Sequence, residues 1–123
     1  MEFIINAKLP SLNDYIAACR ANKFQGANFK EEIETVIGWA IRQAVCKGEL
    51  KQTAKPIVLH FEWHEKTKRR DADNIASAKK FILDALQKQK IIPNDNRKYV
   101  KGFHDTIIDD KSDFVRVEII ELK

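Results

Sequence analysis

Four glycines, three prolines and two cysteines are all that 123 residues contain, and each scarcity closes off a class of protein. None of the glycines falls at the spacing of a dinucleotide fingerprint or a phosphate-binding loop, so nucleotide recognition by a glycine-rich turn is excluded. Cys19 and Cys46 stand far apart with no C-x-x-C pattern, which predicts free thiols in a reducing compartment rather than a disulfide framework. The stretch Met1-Glu2-Phe3-Ile4-Ile5-Asn6 lacks the charged and apolar zones of a secretory signal, so a cytoplasmic location is expected. No apolar run approaches the roughly 18 residues of a membrane span, and no membrane partner is expected. Internal repeats, low-complexity linkers and a Ser or Cys nucleophile arrangement are absent as well.

What is present is the composition of a soluble domain. Apolar residues make up 44% and charged residues 33%, enough to bury a core and too apolar for a disordered chain. One domain over residues 1–123 fits this length. Twenty-two Lys and Arg against eighteen Asp and Glu leave a net charge of only +4, so overall charge says little about a partner. The distribution says more. Lys66, Lys68, Arg69 and Arg70 form one basic run, Lys79 and Lys80 another, and Arg97, Lys98 and Lys101 a third. Folded onto one face they make a phosphate-binding surface; left apart they are solvated charges.

Hydrophobic periodicity predicts the elements. Residues 2–8 alternate, with Phe3, Ile5 and Ala7 on one side, and read as a strand ended by Leu9-Pro10. Ser11 or Asn13 is placed to cap a short helix. Residues 21–28 read as a loop, and Ile33, Val36, Ile37, Ala40, Ile41 and Ala44 then recur at helical spacing, predicting a helix over about 29–47 that ends near Gly48. From Pro56, Ile57, Leu59, Phe61 and Trp63 alternate with Val58, His60, Glu62 and His64, a strong strand signal. Ile75, Ala78, Ile82, Ala85 and Leu86 predict a helix over about 72–89. Strands over about 98–107 and 113–122 follow, joined through Asp109-Asp110-Lys111-Ser112 as an antiparallel hairpin. The order β-α-α-β-α-β-β points to an α+β two-layer domain, helices packed on a small mixed sheet.

The chemistry concentrates where the second strand gives way to the third helix, at Lys68-Arg69-Arg70-Asp71-Ala72-Asp73-Asn74. Two carboxylates two residues apart inside a basic run fit a hard cation held against phosphate, since Mg²⁺ takes one or two carboxylates plus waters and substrate oxygens. The competing reading is a helix N-cap beside a solvated turn residue. With residues turning by about 100° along a helix, Asp73, Ser77, Lys80 and Asp84 share a narrow arc opposite the apolar stripe. Lys80 would there stabilise charge on a phosphate oxygen, whereas Lys79 points to the side. Asp95, in the turn Pro93-Asn94-Asp95-Asn96, is the candidate third acid, provided that the chain doubles back after residue 90. His60 and His64 do not make a zinc site, because in a strand rising about 3.3 Å per residue they lie roughly 13 Å apart. His104 stands alone and carries no signal.

Four motifs, Leu9-Pro10-Ser11-Leu12-Asn13, Arg70-Asp71-Ala72-Asp73-Asn74, Phe81-Ile82-Leu83-Asp84-Ala85-Leu86 and Asn94-Asp95, occur in an order and spacing that resembles the RusA-type Holliday junction resolvases. These are small endonucleases of bacteria and their prophages, and the resemblance runs from about Leu9 to Glu121. It implies a homodimer that cuts four-way DNA junctions, in recombination and repair, with Mg²⁺ or Mn²⁺. It implies Asp71, Asp73 and Asp95 as metal-holding catalytic acids and Lys80, or else Lys79, as the catalytic lysine. Asn13 is implied as a site contact, and Lys66, Arg69, Arg70 and Lys98 are the basic residues expected to hold the DNA backbone. The helix is slightly longer between the Asp pair and Asp84-Ala85-Leu86 than in some relatives, which leaves both lysines open. The alternative expectations are a non-cleaving DNA-binding module of the same fold and a small dimeric interaction protein.

Overall fold

The computed structural model describes all residues from Met1 to Lys123. In chain order the elements are β1 (Glu2–Ile5), α1 (Leu12–Ala21), α2 (Lys23–Cys46), β2 (Ile57–Glu65), α3 (Ala72–Ala76), α4 (Lys79–Lys88), β3 (Val100–Asp109) and β4 (Phe114–Glu121). One mixed sheet, ordered β1-β4-β2-β3, carries the helices on one face, so the α+β two-layer arrangement is realised. Phe3, Ile5, Ile57, Leu59, Phe61, Trp63, Val115, Val117 and Ile119 supply the sheet side of the core. Ile33, Ile37, Ile41 and Ala44 of α2 and Phe81, Ile82, Ala85 and Leu86 of α4 close it from the helical side. The other sheet face is uncovered. No helix is long and apolar enough to cross a membrane.

The predicted hairpin does not form. β4 enters the middle of the sheet, antiparallel to both β1 and β2, while β3 lies on the outer edge parallel to β2. Composition explains the choice. β4 offers Val115, Val117 and Ile119 to the core and Phe114 and Ile120 to the other face, whereas β3 carries Lys101, His104, Asp105, Thr106 and Asp109, residues suited to a solvated edge. Skipping one strand at about 4.8 Å spacing demands a span of roughly 10 Å, within reach of the short connection after Asp109. That connection is tied across the end of β2, with Asp110 N–H donating to the Glu65 carbonyl (3.0 Å) and Lys66 N–H to Asp113 Oδ1 (2.8 Å). A parallel β2–β3 pair in turn needs a crossover, which α3 and α4 provide.

Helix α2 starts earlier than periodicity implied, because residues 23–28 are helical and not a loop. Asn22 caps it, its side chain accepting from Gln25 N–H at 2.8 Å. The segment lacks an apolar signal because Phe24 stands exposed and its one buried residue is Gly26. A Cβ there would stand 2.7 Å from Cys19 Sγ, so this glycine lets α1 and α2 approach and makes no turn. The far end of α2 follows expectation, since Gly48, at φ 75°, takes the left-handed position after the C-cap. Ser11 caps α1 in a reciprocal box with Asp14.

The third predicted helix is two. Between α3 and α4 the bonds shorten to the three-residue pattern, Ala78 to Ile75 (3.3 Å), Lys80 to Ser77 (3.4 Å) and Phe81 to Ala78 (3.0 Å). Ser77, whose N–H still bonds to the Asp73 carbonyl at 3.0 Å, closes α3, its Oγ donating to the Asn74 carbonyl (2.6 Å) and accepting from Leu12 N–H (3.0 Å). At the end of α4 the chain reverses through Lys90, a non-glycine residue at φ 62°. Ile91 N–H bonds to the Leu86 carbonyl at 2.9 Å and Lys90 N–H to the Gln87 carbonyl at 3.0 Å, the pair of bonds that closes a Schellman turn. Ile91 and Ile92 are buried by that reversal, and residues 93–96 are carried back along α4.

Candidate nucleic-acid and metal site

Asp71 occupies the N-cap position of α3 with extended backbone (φ −73°, ψ 155°), yet its carboxylate accepts no hydrogen bond from the helix. Asp73 lies in the first turn, exposed, and is not the cap. An Asp at a helix start ordinarily satisfies an orphan N–H. Here the capping explanation accounts for the position of one acid and for the carboxylate of neither. Both present solvated oxygens beside the positive end of the helix.

The segment bearing them is fixed from two sides. Asn13 Nδ2 lies 3.4 Å from Asn74 Oδ1, and Leu12 is bonded to Ser77, so the start of α1 is seated against α3. From the sheet side, strand alternation points Glu65 toward the helical layer, where it is only 6% exposed. Arg70 meets it with Nη2 at 2.9 and 3.0 Å from the two carboxylate oxygens and Nε at 3.2 Å. Arg70 Nη1 also donates to the Leu9 carbonyl at 3.0 Å. Its guanidinium is consumed inside the fold, pinning the residues just before Asp71, and Lys66, Lys68 and Arg69 are left as the exposed cations of that run.

Lys80 and Asp95 come together. Lys80 Nζ lies 3.0 Å from Asp84 Oδ1 and 3.3 Å from Asp95 Oδ2, and Gln87 Oε1 accepts from Asp95 N–H at 3.2 Å. The reversal after residue 90 that the sequence required is the Lys90 turn. The hydrogen bond to Asp84 raises the Lys80 pKa above its ordinary value, with the charges of Asp84 and Asp95 adding to it against a desolvation that works the other way. Lys79 points elsewhere. Its ammonium pairs with Asp105 of β3 and sits over the rings of Phe103 (4.8 Å) and Phe61 (5.8 Å), while Trp63 Nε1 donates to Asp105 Oδ1 at 2.8 Å. Lys98 is exposed beside Tyr99, with Nζ 5.3 Å from the ring centre.

Two residues of this region were not among the expected site residues. Asp84 had a signal, its place one turn beyond Lys80, but it read equally as a solvent-facing acid. Asp105 had none, because its partner Lys79 is brought to it only by the parallel β2–β3 pairing.

No group of three or more His, Cys, Asp or Glu side chains gathers at metal-holding distance anywhere in the chain. The donors that are there, two unpaired and solvated carboxylates on a fixed backbone, fit a hard divalent ion that keeps water and completes its shell with phosphate oxygens. They do not fit a closed protein cage. No protein-family model matches the chain, and no curated protein matches it.

Proposed function

We propose that this protein is a metal-dependent, structure-selective endodeoxyribonuclease that resolves four-way DNA junctions by hydrolysing backbone phosphodiesters. The observation that carries the reading is the pair of carboxylates Asp71 and Asp73, unengaged by the fold, at the end of a basic run and next to a tethered α3–α4 segment that presents Lys80. Asp71 and Asp73 are the residues we assign to Mg²⁺ or Mn²⁺, whereas Asp95, which the fold does not gather with them into a three-acid cluster, serves as a partner of Lys80. Such an ion, when bound, supplies charge neutralisation on the phosphate and a water of lowered pKa.

The chain's own groups do the rest. Lys80 is fully charged at neutral pH and offers its ammonium to the oxygen on which charge develops. Asp84 and Asp95 hold it in line. Lys66, Arg69 and Lys98 hold the backbone by charge without reading bases, which makes binding steeply salt-dependent. Asn13 and Arg70 keep the acid-bearing segment where α1 and β2 meet it.

A four-way junction offers two related strands for cutting, and a two-fold dimer presents two equivalent sites. We assign the contact between copies to the face where Trp39 (58% exposed), Ile4 (48%) and Val36 (40%) stand beside the free edge of β1. An isologous contact uses the same self-complementary surface on both copies, and an apolar patch beside a free strand edge is one way to supply it. That face has both.

The test is a synthetic four-way junction incubated with purified protein, with and without Mg²⁺, alongside Asp73→Asn, which keeps side-chain shape and removes charge. Metal-dependent symmetric cleavage that is lost in the variant, with junction binding retained, is the expected result. Binding without cleavage under any divalent ion would overturn the nuclease reading in favour of a non-cleaving DNA-binding module; neither binding nor cleavage would overturn both.

A further inference from the structure

His104, silent in the sequence, acquires a neighbour in the fold. At one level of the open sheet face, Glu118 of β4, His60 of β2 and His104 of β3 stand side by side as register partners. The imidazole centroids of His60 and His104 are 5.2 Å apart with their planes inclined at 47°. Glu118 Oε1 lies 3.5 Å from His60 Nδ1, on the strand away from His104. His60 is 41% exposed and His104 lies open on the edge strand, so both rings are reachable from solvent.

We propose that His60 and His104 form a two-histidine site for a borderline divalent transition-metal ion of the zinc, nickel or copper class, with Glu118 as its outer carboxylate. A metal–nitrogen bond of about 2.0–2.1 Å, plus about 1.1 Å from nitrogen to ring centre, puts two imidazoles on one tetrahedral ion roughly 5 Å apart between centroids. The observed separation matches. Glu118 Oε1, 3.5 Å from His60 Nδ1, is close enough to take up a hydrogen bond from that nitrogen once Nε2 is engaged by an ion, the arrangement in which metal-binding histidines are usually supported. Imidazole nitrogen favours these ions over Mg²⁺, so the site is chemically separate from the carboxylates at Asp71 and Asp73. No third protein donor gathers with the two rings, so water completes the shell and the ion is exchangeable.

His64 is excluded from this role. Its ring is stacked on Phe114 at 3.9 Å, and its nitrogens are taken by Asp110 (2.8 Å) and Glu62 (3.2 Å). An ion shared by His60 and His104 clips the edge strand β3 to β2. Since β3 also carries Asp105, the partner of Lys79, the clip stiffens the sheet beneath α4.

The experiment is calorimetric titration of Zn²⁺ and of Ni²⁺ into the full chain, in a Cys19→Ser/Cys46→Ser background that removes the exposed thiols, with Mg²⁺ in excess as competitor. One saturable ion per chain, unaffected by Mg²⁺ and accompanied by a rise in thermal midpoint, is expected. His60→Ala and His104→Ala should each lose at least tenfold in affinity, and Glu118→Gln roughly 10–100-fold, as outer carboxylates do. Circular dichroism of each variant checks that the fold is kept, and His60→Gln and His104→Gln serve where an alanine variant does not fold. Absence of saturable Zn²⁺ or Ni²⁺ binding below millimolar concentration overturns the site, as does binding unchanged in both histidine variants. The readout is metal affinity without DNA, so failure here and failure of the nuclease reading are distinguishable.

Discussion

Replacing Arg70 with Met separates a structural pin from a DNA contact. The guanidinium makes three bonds to the Glu65 carboxylate, between 2.9 and 3.2 Å, and one to the Leu9 carbonyl at 3.0 Å. The Arg70 side chain is 16% exposed and that of Glu65 6%. The net worth of such a pair is modest, because desolvation of both ions offsets much of their attraction. Removing one partner is different: it strands a buried carboxylate, which costs about 3–5 kcal/mol. At a slope of roughly 3–6 °C per kcal/mol for a domain of this size, the thermal midpoint of Arg70→Met should fall by roughly 10–30 °C. Urea unfolding followed by far-UV circular dichroism measures the loss, with an unchanged m-value confirming that native stability has moved. Arg70→Lys should rescue little, since an ammonium cannot reproduce the bidentate fork. In the double variant Glu65→Gln/Arg70→Met at least about 1 kcal/mol should return, because the stranded charge is gone. A loss under about 1 kcal/mol for Arg70→Met, together with weakened junction binding, would refute the pin and return Arg70 to the DNA surface.

Lys80→Ala should lower the cleavage rate by about 10²–10³ with junction affinity little changed, the scale of losing one charge-stabilising donor; an unaltered single-turnover rate would move that role to Lys79. Because the folded-state pKa of Lys80 is raised, its pairing with Asp84 and Asp95 contributes fully below the ordinary lysine pKa of about 10.4 and is lost as pH rises through the folded value. Wild type and Lys80→Met should therefore differ in stability at pH 8 and converge in strong alkali, and a gap that widens with alkali would contradict the pairing. On the proposed two-fold assembly, wild type should sediment as a dimer and Trp39→Glu as a 14.2 kDa monomer in analytical ultracentrifugation; a monomeric wild type would overturn the dimer, and a dimer mass retained by the variant would remove the Trp39 face from the interface.

Periodicity alone was enough for the parts of the fold in which one face is buried. Ile57, Leu59, Phe61 and Trp63 alternate because β2 has helices on one side only, and all four are buried. The stripe Ile75, Ala78, Ile82, Ala85 and Leu86 is buried in full even though a break runs through it, since a short tightened turn keeps the apolar positions inward. What could not be read is whatever depends on partners distant in sequence. Strand pairing is one case: β3 and β4 are consecutive and antiparallel in direction, and only their relative polarity decides which takes the centre. Gly26 is another, where a residue with no side chain leaves no periodic mark although it governs how α1 meets α2. Arg70 and Glu65 are five residues apart, but nothing local says that alternation turns Glu65 inward and obliges Arg70 to follow. His60 and His104 are separated by a whole crossover and meet only through parallel register.

The choice between Lys79 and Lys80 shows how a small departure from ideal helix bears on chemistry. On an unbroken helix from residue 72, a residue at Lys80 falls almost beneath Asp73, and Lys79 lies about 100° to the side. Ser77 interrupts that count. The side chain that binds Leu12 N–H and the Asn74 carbonyl belongs to the turn where three-residue bonds replace four-residue ones, and such bonds advance the chain by about 120° per residue. Beyond the break, Lys79 is delivered to the sheet edge at Asp105 and Lys80 to the turn at Asp95. The two ammonium groups thus have separate surroundings, one over aromatic rings and 22% exposed, the other between two carboxylates and 55% exposed. On the proposed nuclease reading the second, being the more exposed, is the one that would meet an incoming phosphate, and the tether from α1 to Ser77 helps hold the segment that presents it.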